Sequence, residues 1–395
     1  MRRTTVWVSG LLMLAASGCA TPDGGSAEPP DLAVSRQEIA IPKQTVALST
    51  GIQMAYVEMG NPAGEPVIFL HGYTDTARSF HPTASALADL SSDHHIFVLD
   101  QRGHGASSMP PAATCASAPE TCFEPLDMAE DVVAFMDAKG ICKAAIVGHS
   151  MGSFVAQELG LSFPDRVDSL VLIGTSWGVT GNVVLQDFIL SEPVEGSWKA
   201  GFEGQGYTFP DDVYNLSPLD ANAGALAWME VNWVVDPAAD PAYLAEILPE
   251  TAATKMGTWI GVARALLQYD NTERLKGLTV PSLTLWATQD GFFYDTDQAI
   301  LRASLGVAAA TCKSGYHWKQ YGKRPLSELG IQIDDLGHNT QWGAPDEVAA
   351  DVDSFLDKGK PTKDWYYSAN GDPQQIVTKK NKAPIFSAKQ KKNCH

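Results

Sequence analysis

One five-residue stretch limits this chain more than any other. Gly148-His149-Ser150-Met151-Gly152 follows the continuous apolar run Ala144-Ala145-Ile146-Val147 and opens a helix-like run, Met151 to Phe163. A short unbroken apolar run reads as a strand buried on both faces. The chain therefore passes from a buried strand, through a turn flanked by two glycines, into a helix. Glycines two before and two after Ser150 let such a turn close without side-chain clashes, and the turn lifts the hydroxyl into a cleft at the helix N-terminus. Only a fold of buried strands alternating with helices supplies that setting.

The rest of the chain repeats the alternation. Gly51 to Val57 and Pro66 to Leu70 read as strands, Thr74 to Leu90 as a helix, and Ile96 to Leu99 as another buried strand. Leu126 to Ala138 has helical spacing, and Ser169 to Ile173 is a strand. This rhythm predicts an α/β fold, a mostly parallel sheet with helices on both faces. It breaks at Thr175: segment 176–270 shows no strand alternation but many aromatic residues, and reads as a cap over the strand ends. The rhythm returns with the strand Val280 to Ala287 and closes with the strand Ile331-Gln332-Ile333 and the helix Asp346 to Leu356.

A serine hydroxyl is a poor nucleophile at neutral pH and needs a base with an orienting acid. Among the nine histidines, His338, in Asp335-Leu336-Gly337-His338 beyond the expected last strand, is the candidate base. His149 adjoins Ser150 and is read as shaping the pocket, and His317 as a surface or tail-packing residue. Asp290 ends the strand that begins at Pro281 and can orient the imidazole; its rivals are Asp295, Asp334 and Asp335. The strand before the cap ends Ile173-Gly174-Thr175-Ser176 and offers no acid. After the strand Pro66 to Leu70, His71-Gly72-Tyr73 lets the backbone approach a substrate. The Tyr73 amide can then pair with that of Met151 as an oxyanion hole. No cysteine or histidine spacing reads as a metal site.

Over about Gln37 to Leu356, these motifs and Asp100-Gln101-Arg102-Gly103-His104-Gly105 resemble the α/β-hydrolase superfamily, in its capped branch of esterases, lactonases, C–C hydrolases and cofactor-free peroxidases. The resemblance implies an eight-stranded sheet from residues 37–175 and 271–357, with a helical cap, 176–270, inserted before the seventh strand. It implies no cofactor. Epoxide hydrolases and haloalkane dehalogenases of this fold carry Asp at the elbow, where this chain has Ser150. The expected reaction is hydrolysis of small-to-medium neutral esters or lactones through an acyl-enzyme. The rivals are C–C bond hydrolysis or perhydrolysis on the same triad, and an inactive hydrolase fold serving as a binding lipoprotein.

Charge narrows the partners. The chain has 28 Lys+Arg against 46 Asp+Glu, a net charge of −18, which argues against nucleic acid. The cap carries 13 acids and three bases and should disfavour anionic substrates. Trp177, Trp228, Trp233 and Trp259 either line an apolar pocket or form the cap's own core, with Trp177 assigned to the pocket. The tail, 358–395, holds nine Lys and two acids, a basic strap for an acidic body or a cell-surface contact.

Arg2-Arg3, the apolar stretch Val6 to Ala16 and the small residues after it read as a signal peptide over residues 1–19. Ala16-Ser17-Gly18-Cys19 resembles a bacterial lipoprotein signal, with Ala16 where Leu is usual, and implies lipidation of Cys19. Residues 20–36 form a flexible tether. The protein is expected in the periplasm or cell envelope, touching the membrane only through its anchor. In an oxidising compartment Cys115 and Cys122 are the easiest pair to close. Cys312–Cys394 is the expected second bridge, leaving Cys142 free.

Overall fold

The structure, a computed structural model, describes residues 42–363 apart from 222–223, 234–240, 313–314 and 323–335, and in the tail residues 366–367, 373–374 and 378–380. Its main sheet contains β1 (Gln44–Ala47), β2 (Gln53–Gly60), β3 (Glu65–Leu70), β4 (His94–Leu99), β5 (Ala144–His149), β6 (Val167–Ile173), β7 (Ser282–Ala287) and β8 (Tyr316–Tyr321). In the tail, β9 (Tyr366–Tyr367) and β10 (Pro373–Gln374) pair only with each other, while β11 (Thr378–Lys380) joins the main sheet. The order is β1-β2-β4-β3-β5-β6-β7-β8-β11. Strands β4, β3, β5, β6, β7 and β8 pair in parallel, β2 is antiparallel to both neighbours, and β11 is antiparallel to β8. The eight-stranded, mostly parallel sheet is thus present, with a ninth strand added by the tail.

That order positions the site. The chain leaves β3 toward β4 on one side, while β5 lies on the other, so a crevice opens at the carboxyl ends of β3 and β5. Apolar clusters cover both faces of the sheet. Helices α1 (His81–Leu90) and α8 (Pro345–Lys358) contribute to one, and α2 (Pro125–Lys139) and α3 (Met151–Ser162) to the other. Between β6 and β7, helical segments include α4 (Ala225–Asn232), α5 (Pro241–Ala253) and α6 (Met256–Leu266). The neck of this insertion is tied by the bridge Gly178↔Asp270 and the amide of Asn271 donating to Trp177 O at 2.9 Å. Helix α7 (Asp295–Thr311) connects β7 to β8.

Two expectations change, and a third falls outside the described residues. The stretch Ile331–Ile333 lies outside the described residues, and the strand after β7 is Tyr316–Tyr321. Its polar sequence conceals a buried strand, because Lys319 is 1% exposed and pairs with Asp351 on α8 at 2.5 Å. His317 is accordingly a buried strand residue whose ring faces Phe355 and whose backbone stands opposite Lys380 of the tail strand, so of its two readings the tail-packing one fits and the surface one does not. The bridge Cys115–Cys122 is formed. Cys312, however, keeps a free thiol, so it does not pair with Cys394, while Cys142 is disulfide-bonded. Spacing along the chain does not fix which cysteines meet in the fold. Residues 1–41, with Cys19, and Cys394 lie outside the described residues.

Candidate active site

Ser150 sits between β5 and α3 at φ 48° and ψ −119°, a left-handed backbone that a non-glycine residue adopts only when its surroundings force it. The two glycines show how. A Cβ on Gly148 would lie 2.2 Å from Gly152 O, and one on Gly152 would lie 2.1 Å from Leu70 O. The Ser150 amide donates to Ile173 O at 3.0 Å, tying the turn to β6.

His338 Nδ1 lies 3.0 Å from Asp290 Oδ1. The same oxygen accepts the amides of Phe292 (2.8 Å) and Phe293 (3.0 Å), so the turn after β7 holds the carboxylate in place. A carboxylate only accepts, so the proton sits on Nδ1, which leaves Nε2 as the imidazole's free lone pair. Rings of Phe292, Phe293 and His149 surround the imidazole at centroid distances of 4.6, 5.6 and 4.9 Å. Gly174 makes room for it: a Cβ there would stand 3.2 Å from two ring atoms.

Ser150 and His338 border one cavity of about 530 Å³, open mouth included. Gly72 and Tyr73 border it as well. Asp75 N donates to Gly72 O at 3.2 Å, and Thr74 takes φ 58°, so the loop after β3 is sharply turned. Met151 is the first residue of α3, where an amide has no acceptor within its own helix. The Tyr73 ring is fixed rather than free, because its hydroxyl donates to Trp259 O at 2.5 Å.

The two flanking histidines are neutral supports. His71 accepts the Gln101 amide at Nε2 (3.0 Å) and donates from Nδ1 to Gly72 O (2.8 Å), fastening the loop after β3 to that after β4. Burial holds its pKa well below the ordinary value, and neighbouring His104 adds to this. His149 donates from Nε2 to His338 O at 3.1 Å, and burial likewise keeps it well below. Its Nδ1 is buried without a partner.

Trp177 is not among the residues bordering this cavity: its indole donates to Asp297 Oδ1 at 3.3 Å. Trp233 and Trp342 border it instead. Trp259 is fully buried against Trp198, and Trp228 packs on Trp198 too, so these two belong to the core. Sequence reasoning missed Asp75, Asn339 and Trp342, all on the cavity wall. Asp75 had one signal: it is an acid just past the end of a buried strand.

Residues 65–345 match the family described as alpha/beta hydrolase fold. An epoxide hydrolase of Caballeronia sordidicola is 25% identical over 341 residues, 78% of this chain and 92% of that protein. Several other curated relatives match over less than half of their own length. The enol-lactonase from Burkholderia xenovorans LB400 superposes with a TM-score of 0.55 at 18% identity, covering 79% of this chain and 99% of that one. An esterase from Exiguobacterium antarcticum gives 0.57 at 15% identity, covering 79% and 98%.

Proposed function

The chain belongs to the alpha/beta hydrolase family, and from that premise we propose that it is a serine hydrolase of neutral carboxylic esters or lactones. The observation that carries this is that His338, whose Nδ1 lies 3.0 Å from Asp290 Oδ1, borders the same cavity as the strained turn at Ser150. Ser150 Oγ attacks the carbonyl carbon while its proton passes to His338 Nε2. The developing oxyanion accepts from the amides of Tyr73 and Met151. Asp290 stabilises the imidazolium, which then protonates the leaving alcohol, and water repeats the sequence on the acyl-enzyme.

The relative named as an epoxide hydrolase raises a second chemistry, and the nucleophile's identity weighs against it. A serine alkoxide that opened an epoxide would end as an ether, which water does not cleave. The same alkoxide on a carbonyl leaves an ester, which water does cleave. Carboxylates of Glu246 and Glu250 on α5 stand beside Arg78, and the acidic insertion favours uncharged substrates.

Labelling the purified protein with a fluorophosphonate, followed by peptide mapping, tests the reading. Label on Ser150, lost in Ser150→Ala, supports it; a folded protein that takes no label overturns it. Export with a lipid on Cys19 is proposed from the sequence, and an oxidising compartment agrees with the Cys115–Cys122 bridge. Cys19→Ala should then move the protein from the membrane fraction to the soluble one.

A further inference from the structure

The triad reading leaves two buried polar groups of the cavity without work. Asp75 is 4% exposed and borders the cavity with Ser150 and His338. Among the described residues no cation pairs with it; Arg78, three residues on, is bound to Glu250 at 2.7 Å and Glu246 at 3.2 Å. Burial pushes its carboxyl up to about 8, and the Glu250 carboxylate pushes the same way. The Ser79 hydroxyl and the Gly72 amide oppose this without reversing it. A carboxyl in that state carries a proton at neutral pH and acts as a hydrogen-bond donor. The second group is His149 Nδ1, a lone pair with no partner.

These two groups face each other across the bare side of Gly72. A Cβ there would lie 2.8 Å from His149 Nδ1 and 3.3 Å from Asp75 Oδ2, so the two atoms are within about 6 Å of each other. A donor and an acceptor at this spacing match one small group that both accepts and donates. A hydroxyl is that group, and Gly72 places it next to the loop whose Tyr73 amide would bind the oxyanion.

Resting on the serine hydrolase reading, we propose that Asp75 and His149 form a hydroxyl-recognition subsite, which makes hydroxyacyl esters or lactones the preferred substrate class. The substrate hydroxyl accepts from Asp75 and donates to His149 Nδ1. A site built around a hydroxyl discriminates strongly against the analogue that lacks it, because its own buried groups are then left unpaired. Apolar walls of Phe154, Val179, Leu185 and Leu266 hold the rest of the acyl chain.

A matched series tests this: p-nitrophenyl butanoate, its 3-hydroxy derivative and its 3-methoxy derivative, which can accept but not donate. The wild-type protein should favour the 3-hydroxy ester over the plain ester by about tenfold or more in kcat/KM, with the methoxy ester between or below. In Asp75→Leu that ratio should fall toward one, with the loss on the hydroxy ester carried mainly by KM. Asp75→Asn, whose amide still donates, should keep part of the preference, and thermal melting of both variants checks that they fold. A wild-type ratio near one, or a ratio unchanged in Asp75→Leu, overturns the subsite. If none of the three esters is cleaved and Ser150 takes no fluorophosphonate, the hydrolase reading is what has failed. The subsite is then judged by saturation-transfer NMR on Ser150→Ala protein, which reports binding of methyl 3-hydroxybutanoate over methyl butanoate without any turnover. Equal binding of the two overturns it there.

Discussion

Asp75→Asn should make the protein more stable, by an amount that grows with pH. The folded carboxyl titrates at about 8, against about 4 for an ordinary aspartate. Between those limits the folded chain holds a proton that the unfolded chain has released. Stability therefore falls as pH rises from about 4 to about 8 and is flat above. Each pH unit in that window costs about 1.4 kcal/mol, so the wild-type penalty is about 4 kcal/mol at pH 7 and about 5 to 6 kcal/mol at pH 9. Water entering the cavity or a shift of Glu250 will reduce these figures. The titratable groups facing Asp75 are Glu250 and Tyr243 from α5 and His149 across Gly72, and they are common to both proteins. Asparagine does not titrate, so the difference between the variants isolates the one carboxyl. At about 2 °C per kcal/mol for a body of this size, the melting temperatures should coincide near pH 4 and separate by about 5 to 8 °C at pH 7. Paired melts by circular dichroism from pH 4 to 9 measure it. A separation that stays constant with pH, or that shrinks toward alkali, refutes the assignment of Asp75 as a buried neutral acid.

Four further outcomes follow. Ser150→Ala should lower kcat by about 10⁴-fold or more while leaving the melting temperature within a few degrees, measured by ester turnover and calorimetry. Asp290→Asn should lower kcat by about 10⁴-fold, because an amide at this position favours the wrong imidazole tautomer; a tenfold loss or less would remove Asp290 from the triad. Alkylation of the unreduced protein followed by peptide mapping should modify Cys312 and leave Cys142 unmodified. For the buried pair of β8 and α8, Asp351→Asn should destabilise the protein, measured by denaturant unfolding. Asp351 also accepts from Tyr321 and from the amide and hydroxyl of Thr362, so the substitution disturbs those bonds together with the ion pair. Breaking a buried ion pair by removing one partner costs about 3 to 5 kcal/mol.

The strands that carry the site were legible because they are buried on both faces, so composition alone marks β3, β4, β5, β6 and β7. Strand β8 was not, and its reason is local. Tyr-His-Trp-Lys-Gln-Tyr has no apolar run, and its lysine is neutralised by Asp351, thirty-two residues later on α8. A window of sequence cannot contain both partners. The same limit applies to Cys142, whose bridge depends on where distant parts of the chain meet.

The candidate triad and Asp75 differ in how they are encoded. Ser150, Gly148 and Gly152 are constrained by backbone clashes of about 2 Å, and such constraints leave glycines at fixed offsets that can be read in order. His338 and Asp290 were legible by elimination, since each ends or follows a recognisable element. Asp75 is constrained by none of these. What distinguishes it is a property of the assembled cavity: burial, a neighbouring Glu250 supplied by the insertion, and no cation to match among the described residues. An unpaired acid kept in the wall of a cavity costs stability, and stability alone would replace it with asparagine or leucine. The cost of Asp75 is therefore the physical reason to look for its use in what the cavity binds.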